Sequence, residues 1–239
     1  MTRATKHKRD TDPADNPRKG RAARPKLSAT LILLRGDPKN PQILMGKRAA
    51  GHGFMPSKTV FPGGKAERSD TFAPSAAPLL PETQAVLERH LPPGRALAAS
   101  AAAIRETFEE TGLLLARPLD APRKTKAPKG WEGFTTRGLG ADLGALRLTA
   151  RAITPPYHPK RFDTWFFTAR ADDLIDLPEC VASSELEGLD WYTLKEAQVL
   201  DLPIITSIVL DEVQKRLGEP NRPIPFYFMK NGEHHRVWL

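Results

Sequence analysis

Residues 96–112 constrain this chain more than any other stretch. The segment ALAASAAAIRETFEETG is rich in strong helix formers, and Gly112 stands where a left-handed cap closes a helix. The spacing therefore predicts a helix over Ala96 to Thr111. At 100° per residue, Glu106, Glu109 and Glu110 fall within a sector of about 100°, while Ala101, Ile104 and Phe108 lie on the opposite face. An apolar stripe anchors such a helix and leaves a carboxylate cluster looking outward. Arg105, at i,i+4 from Glu109, can orient one carboxylate through a charge-assisted bond. Three like charges this close repel, a local cost that a divalent cation turns into binding energy.

A second segment supplies what the helix lacks. In Phe61-Pro62-Gly63-Gly64-Lys65-Ala66-Glu67-Arg68-Ser69-Asp70, the Gly-Gly turn lets backbone approach a metal or a phosphate closely, because no Cβ stands in the way. Together the two segments resemble the Nudix box of the Nudix hydrolases: Gly, five residues, an acid, a spacer, then Arg-Glu-apolar-any-Glu-Glu-any-Gly-apolar. Gly64 opens it, Asp70 takes the place of the first Glu, and Arg105-Glu106-Thr107-Phe108-Glu109-Glu110-Thr111-Gly112-Leu113 completes it, with Thr107 at the usual apolar position. The spacer from Asp70 to Arg105 is 34 residues in place of the family's seven, so 27 residues are inserted within the box.

The resemblance implies an α/β/α sandwich with a mixed sheet and hydrolysis of a diphosphate linked to another moiety. It implies Mg²⁺ or Mn²⁺ held by Glu106, Glu109 and Glu110, with the Gly63 carbonyl as a further ligand and Arg105 as an orienting partner. A further acid is expected from the loop before a late strand, where Glu185 is favoured over Glu187; Glu67, beside the Gly-Gly turn, is another candidate. Gly64 and Arg48 are expected at the substrate, as is Arg161 within Lys160-Arg161-Phe162-Asp163-Thr164. The stretch Leu44-Met45-Gly46-Lys47-Arg48-Ala49, in register with Phe61-Pro62-Gly63-Gly64, is similar to the coenzyme A diphosphatase branch, although Gly53 and Ser57 stand where that branch has Arg and Gly. The substrate implied is a small nucleoside diphosphate derivative such as coenzyme A or acyl-CoA, and a homodimer is compatible with it.

Charge bears on the alternatives. The net +8 is concentrated in residues 1–26, which carry nine Lys/Arg against three acids, a net of +6 in a stretch without aromatic residues. Such a segment buries too little apolar surface to fold alone and reads as a disordered arm. Through it, RNA or another acidic partner is the nucleic-acid alternative, attached to a Nudix-fold binding module without catalysis. No apolar run approaches the ~18 residues of a membrane span, and no apolar region follows the basic N-terminus, so a cytoplasmic location is expected. Cys180 is the only cysteine, which excludes an intramolecular disulfide; it reads as structural.

Residues 27–239 are thus expected as one hydrolase domain. Leu27 to Arg35 and Gln42 to Arg48 read as a hairpin, Leu146 to Ile153 and Phe162 to Arg170 as strands, and Gly188 to Thr193 as a short strand before helices at 194–200 and 204–217. Residues 71–95, punctuated by five prolines, are expected to bulge outward as an exposed excursion with one helix in it, at Glu82 to His90. The Pro/Lys/Gly-rich stretch 117–144 is expected to be an exposed, mobile loop.

Overall fold

In the computed structural model, which describes residues 22–51, 55–121, 125–174 and 185–239, the Leu-rich run forms β1 (Lys26–Arg35). Both of its faces are buried, Ala29, Leu31 and Leu33 on one side and Ile32 and Leu34 on the other. A strand apolar on both faces has to be covered on both, which places it at the centre of a layered fold. Along the chain follow β2 (Gln42–Arg48), β3 (Thr59–Val60), β4 (Gly63–Lys65), β5 (Ser75–Ala77), α1 (Pro81–Glu88), α2 (Pro93–Thr111), β6 (Ala116–Pro118), α3 (Glu132–Thr135) and β7 (Leu139–Asp142). The second half holds β8 (Arg147–Ile153), β9 (Phe162–Arg170), β10 (Leu186–Thr193), α4 (Leu194–Gln198), α5 (Ile204–Gly218), β11 (Pro225–Lys230) and β12 (Glu233–Trp238).

The main sheet has the order β10-β2-β1-β9-β8-β11-β12, with β3 added to β2 and β4 to β1. It is mixed: β1 runs parallel to β9 and β8 to β11, and its other pairings are antiparallel. One face is covered by α2, whose buried alanines from Ala98 to Ala103 let the helix lie close to the strands; α4 and α5 cover the other with Leu194, Ala197, Val209, Leu210 and Val213. This is the expected α/β/α sandwich. Gly112 caps α2 at φ 76, with its N–H donated to the Phe108 carbonyl at 2.8 Å. No helix among the described residues is long and apolar enough to cross a membrane.

Two expectations are corrected. Residues 71–95 are largely exposed and carry α1 where a helix was expected, but they are not an excursion clear of the core: β5 and the start of α2 lie within them, and Leu87 and Leu91 are in the core cluster. Prolines mark where elements begin as readily as where structure stops, and here Pro81 and Pro93 are the first residues of helices. Leu87→Ala is accordingly expected to cost about 2–5 kcal/mol of stability, read from urea unfolding; a loss below half a kcal/mol would restore the excursion.

The described residues of 117–144 likewise are not simply an exposed loop. They contribute β7 and part of β6 to a small second sheet of order β5-β7-β6, and Trp131 and Phe134 are fully buried. The aromatic residues outweigh the Pro and Lys around them. Strand β12 has no counterpart among the sequence expectations. It returns from β11 through Asn231 and Gly232, both at positive φ, the conformation a tight two-residue hairpin needs. Residues 1–21 of the basic arm, Gly53, and Cys180 lie outside the described residues.

Candidate active site

Four pieces meet beside β1: β4, the 3-10 turn Arg68–Phe72, the C-terminal half of α2, and the segment leading into α3. β4 lies antiparallel to β1, with Thr30 opposite Gly63 and Ala29 opposite Gly64, and Ser28 Oγ donates to the Gly64 carbonyl at 2.6 Å. Gly63 sits at φ 153, and a Cβ there would stand 2.5 Å from the Ala29 carbonyl oxygen; at Gly64 it would run into the Glu106 carboxyl group. Only glycine lets β4 fit between β1 and the carboxylates.

The helix half joins this turn through two contacts that span the insertion. The Gly63 N–H donates to Glu110 Oε2 at 2.8 Å. Arg105 Nε and Nη2 donate to Asp70 Oδ1 and Oδ2 at 2.7 and 3.0 Å, and Nη2 also reaches the Lys65 carbonyl at 3.1 Å. The same guanidinium pairs with Glu106 Oε1 at 2.9 Å and Glu109 Oε2 at 2.7 Å, the latter being the expected i,i+4 contact. Asp70 is fully buried, and Trp131 Nε1 and the Glu67 N–H also donate to it. Thr107, at the usual apolar position, is buried with its Oγ1 donated to the Ala103 carbonyl at 2.8 Å, so its hydroxyl is satisfied within the helix.

Of the three carboxylates only Glu109 looks outward as expected, while Glu106 and Glu110 are largely covered. Glu106 keeps only 16% of its side-chain surface exposed, against 42% for Glu109. A helical wheel separates two faces but cannot show that β4 and the 3-10 turn fold back over the acidic one. The electrostatic consequence is large. Burial pushes Glu106 up to about 7, against the pull of Arg105 and with Glu109 adding to it. Burial likewise pushes Glu110 up to about 8; the Gly63 N–H and Arg48 oppose this, and Glu106 and Glu185 reinforce it. Glu109 shifts upward for the same first reason, with Asp70 and Glu67 contributing. Burial works against the charge of Arg105, but Asp70, Glu106 and Glu109 together hold it above the ordinary guanidinium value.

A pH dependence follows. Carboxyl groups with raised folded-state values hold protons that the unfolded chain has already lost between about pH 4.5 and 8. Stability is then greatest on the acid side of that window and declines as pH rises through it. Thermal melts in EDTA should show the midpoint falling by several degrees from pH 5 to pH 8, and a flat or rising midpoint would contradict these shifts.

The donor chemistry of these side chains, though not an assembled coordination geometry, is of the kind a hard divalent cation takes. Among the described residues no three His, Cys, Asp or Glu side chains converge in a metal-binding geometry. Arg105 engages Glu106 Oε1 and Glu109 Oε2, and Gly63 engages Glu110 Oε2, so each glutamate has a second oxygen that these bonds do not use. Oxygen donors that carry more negative charge than their surroundings neutralise suit Mg²⁺ or Mn²⁺.

Other residues named from the sequence divide in two. Arg48 and Glu185 belong with the cluster: burial lowers the Arg48 value while the charges of Glu110 and Glu185 oppose it, and the Glu185 carbonyl accepts from the Ala49 N–H at 3.1 Å. Glu67 is near enough to Glu109 to influence it. Arg161 is not brought there by its bonds; its Nε donates to the Thr154 carbonyl and its Nη1 to the Ala23 carbonyl. Glu187 is paired in register with Lys47 across β10 and β2, one position from Arg48. Trp131 was not expected at the site, because the Pro, Lys and Gly content of its segment masks it.

No protein-family model matches the chain. It is 35% identical over 112 residues to the acyl-coenzyme A diphosphatase NUDT19 of Gallus gallus, covering 38% of this chain and 30% of that one. It is 26% identical over 206 residues to a Caenorhabditis elegans chain named nudix hydrolase 7, covering 77% and 62%. The chain thus spans less than two thirds of the length of either curated relative. Among solved structures, a NUDIX hydrolase from Alicyclobacillus acidocaldarius superposes with a TM-score of 0.61 at 27% identity, covering 80% of this chain and 92% of that one.

Proposed function

From the premise that this chain belongs to the Nudix hydrolase family, we propose that it hydrolyses the pyrophosphate linkage of a nucleoside diphosphate derivative, with coenzyme A or acyl-CoA as substrate. The observation that carries this reading is the junction across the insertion, where Gly63 meets Glu110 and Asp70 meets Arg105, so that the two halves of a split motif form one site. The catalytic domain is taken as residues 27–239, with the basic arm outside it.

In this reading Glu106, Glu109 and Glu110, with the Gly63 carbonyl, hold Mg²⁺ or Mn²⁺. The cation, when bound, neutralises pyrophosphate oxygens and lowers the pKa of its water. Arg105 keeps Glu106 and Glu109 oriented. Gly64 leaves room for the Glu106 carboxyl group on the substrate side of the turn, and Arg48 offers a guanidinium to the substrate's phosphates. Glu185 is assigned the role of accepting a proton from the attacking water, a reading supported by the action of its charge on both Arg48 and Glu110. The substrate class is supported by the 35% identity to an acyl-coenzyme A diphosphatase together with the register from Arg48 to Phe61.

The test compares kcat/KM for coenzyme A, acyl-CoA, ADP-ribose, NADH, diadenosine polyphosphates and nucleoside triphosphates, in Mn²⁺ and in EDTA. Coenzyme A or its acyl derivative should rank first, with turnover abolished by EDTA. Coenzyme A ranking well below ADP-ribose or NADH would overturn the substrate assignment, and turnover undiminished in EDTA would overturn the metal.

A further inference from the structure

The carboxylates are held by Arg105, and Arg105 is held by Asp70, which itself accepts four bonds. Two of these come from Arg105 and one from the Glu67 backbone N–H at 2.8 Å. The fourth donor is Trp131 Nε1, at 3.1 Å from Asp70 Oδ1, the same oxygen that receives Arg105 Nε. Trp131 and Asp70 are fully buried and Arg105 nearly so, so water does not replace a bond lost there. The segment carrying Trp131 also closes on the site by shape. Gly130, at φ 85, lies so near that a Cβ on it would stand 2.6 Å from Arg105 Cδ and 2.9 Å from Glu109 Oε1. The indole is fixed in turn by Phe134, at 4.9 Å between ring centroids, and Phe134 meets Phe108 of α2 edge to face at 5.2 Å.

We propose that Trp131 is a positioning residue for the carboxylate cluster, setting the Arg105 guanidinium through Asp70; the proposal rests on the metal-dependent reading above. Its indole N–H orients the Asp70 carboxylate, the carboxylate fixes the plane of the Arg105 fork, and the fork sets where Glu106 and Glu109 present their remaining oxygens. The segment between β6 and β7 thereby acts on the site without touching the cation.

Trp131→Phe removes the N–H and keeps a ring against Phe134. The measurement is Mn²⁺ affinity by electron paramagnetic resonance, beside a thermal melt in EDTA. Partners bonded to metal ligands commonly change affinity 10- to 100-fold, and Trp131 lies two bonds further out, so a loss of about 3- to 10-fold is expected. Leu87→Ala, a core change on α1 outside the chain of bonds from Trp131 through Asp70 to Arg105, serves as the packing control: it should lower the melting temperature and leave Mn²⁺ affinity unchanged. Equal affinity in Trp131→Phe and the parent protein would overturn the proposal, as would an equal loss in Leu87→Ala. A parent protein that binds no Mn²⁺ would instead overturn the metal-dependent reading on which it rests. Should Trp131→Phe fail to fold, the indole N–H resonance of Trp131 in the parent protein must shift on Mg²⁺ addition, and an unmoved resonance overturns the proposal.

Discussion

Glu110→Gln should fold, melt at least as high as the parent protein in EDTA at pH 8, and lose about two to three orders of magnitude in kcat. The two effects have one origin. Glu110 is buried against Gly63 and repelled by Glu106 and Glu185, which raises it to about 8. An amide carries no charge to desolvate, and its Oε1 can still accept the Gly63 N–H at the position Glu110 Oε2 now occupies. The charge that costs stability in the metal-free protein is the charge a divalent cation requires. Calorimetry in EDTA and steady-state kinetics under saturating Mg²⁺ test the halves separately. A folded variant with full turnover would remove Glu110 from the catalytic set, and a midpoint far below the parent's would mean that its burial is not the net cost argued here. Glu109→Gln should lose turnover similarly with less effect on stability, since Glu109 is the more exposed.

Arg105→Ala should lower stability by about 3–5 kcal/mol, a drop in melting temperature on the order of 10 °C for a chain of this size. Removing the guanidinium strips a fully buried Asp70 of two of its hydrogen bonds and leaves Glu106 and Glu109 without their shared cation. Arg105→Lys should recover little, because one ammonium cannot reach Asp70, the Lys65 carbonyl, Glu106 and Glu109 as a planar fork does. Urea unfolding of Arg105→Ala, Asp70→Ala and the double variant closes a thermodynamic cycle. The double variant should be much less destabilised than the sum of the single ones, whereas simple additivity would show that the pair is not the unit described.

Much of the site is legible in the amino-acid sequence. The helix over 96–111, its cap at Gly112, the acidic triplet and the Gly-Gly turn are local features, set by propensity and spacing within short windows. The central strands are equally open, since a run such as Leu31 to Leu34 that is apolar at every position suits a strand covered on both faces. Residues 71–95 and 117–144 mislead for a related reason. Five prolines punctuate the first and prolines, lysines and glycines the second, and composition weighs these where packing depends on a few large apolar side chains. Leu87, Leu91, Trp131 and Phe134 are what seat these segments in the core.

The identity of the charged groups, and their order along one helix, is therefore determined by the sequence alone. Only the tertiary structure decides their environment. Whether Glu106 and Glu110 face water or backbone depends on β4 and the 3-10 turn lying over α2, contacts between residues tens of positions apart. Whether Asp70 serves as a ligand or a clamp depends on a buried arginine and a buried indole drawn from two further segments. Periodicity records which residues share a face of one element. It carries no information on which other element covers that face, and desolvation by that cover is what shifts these carboxylates and gives the cluster its chemistry.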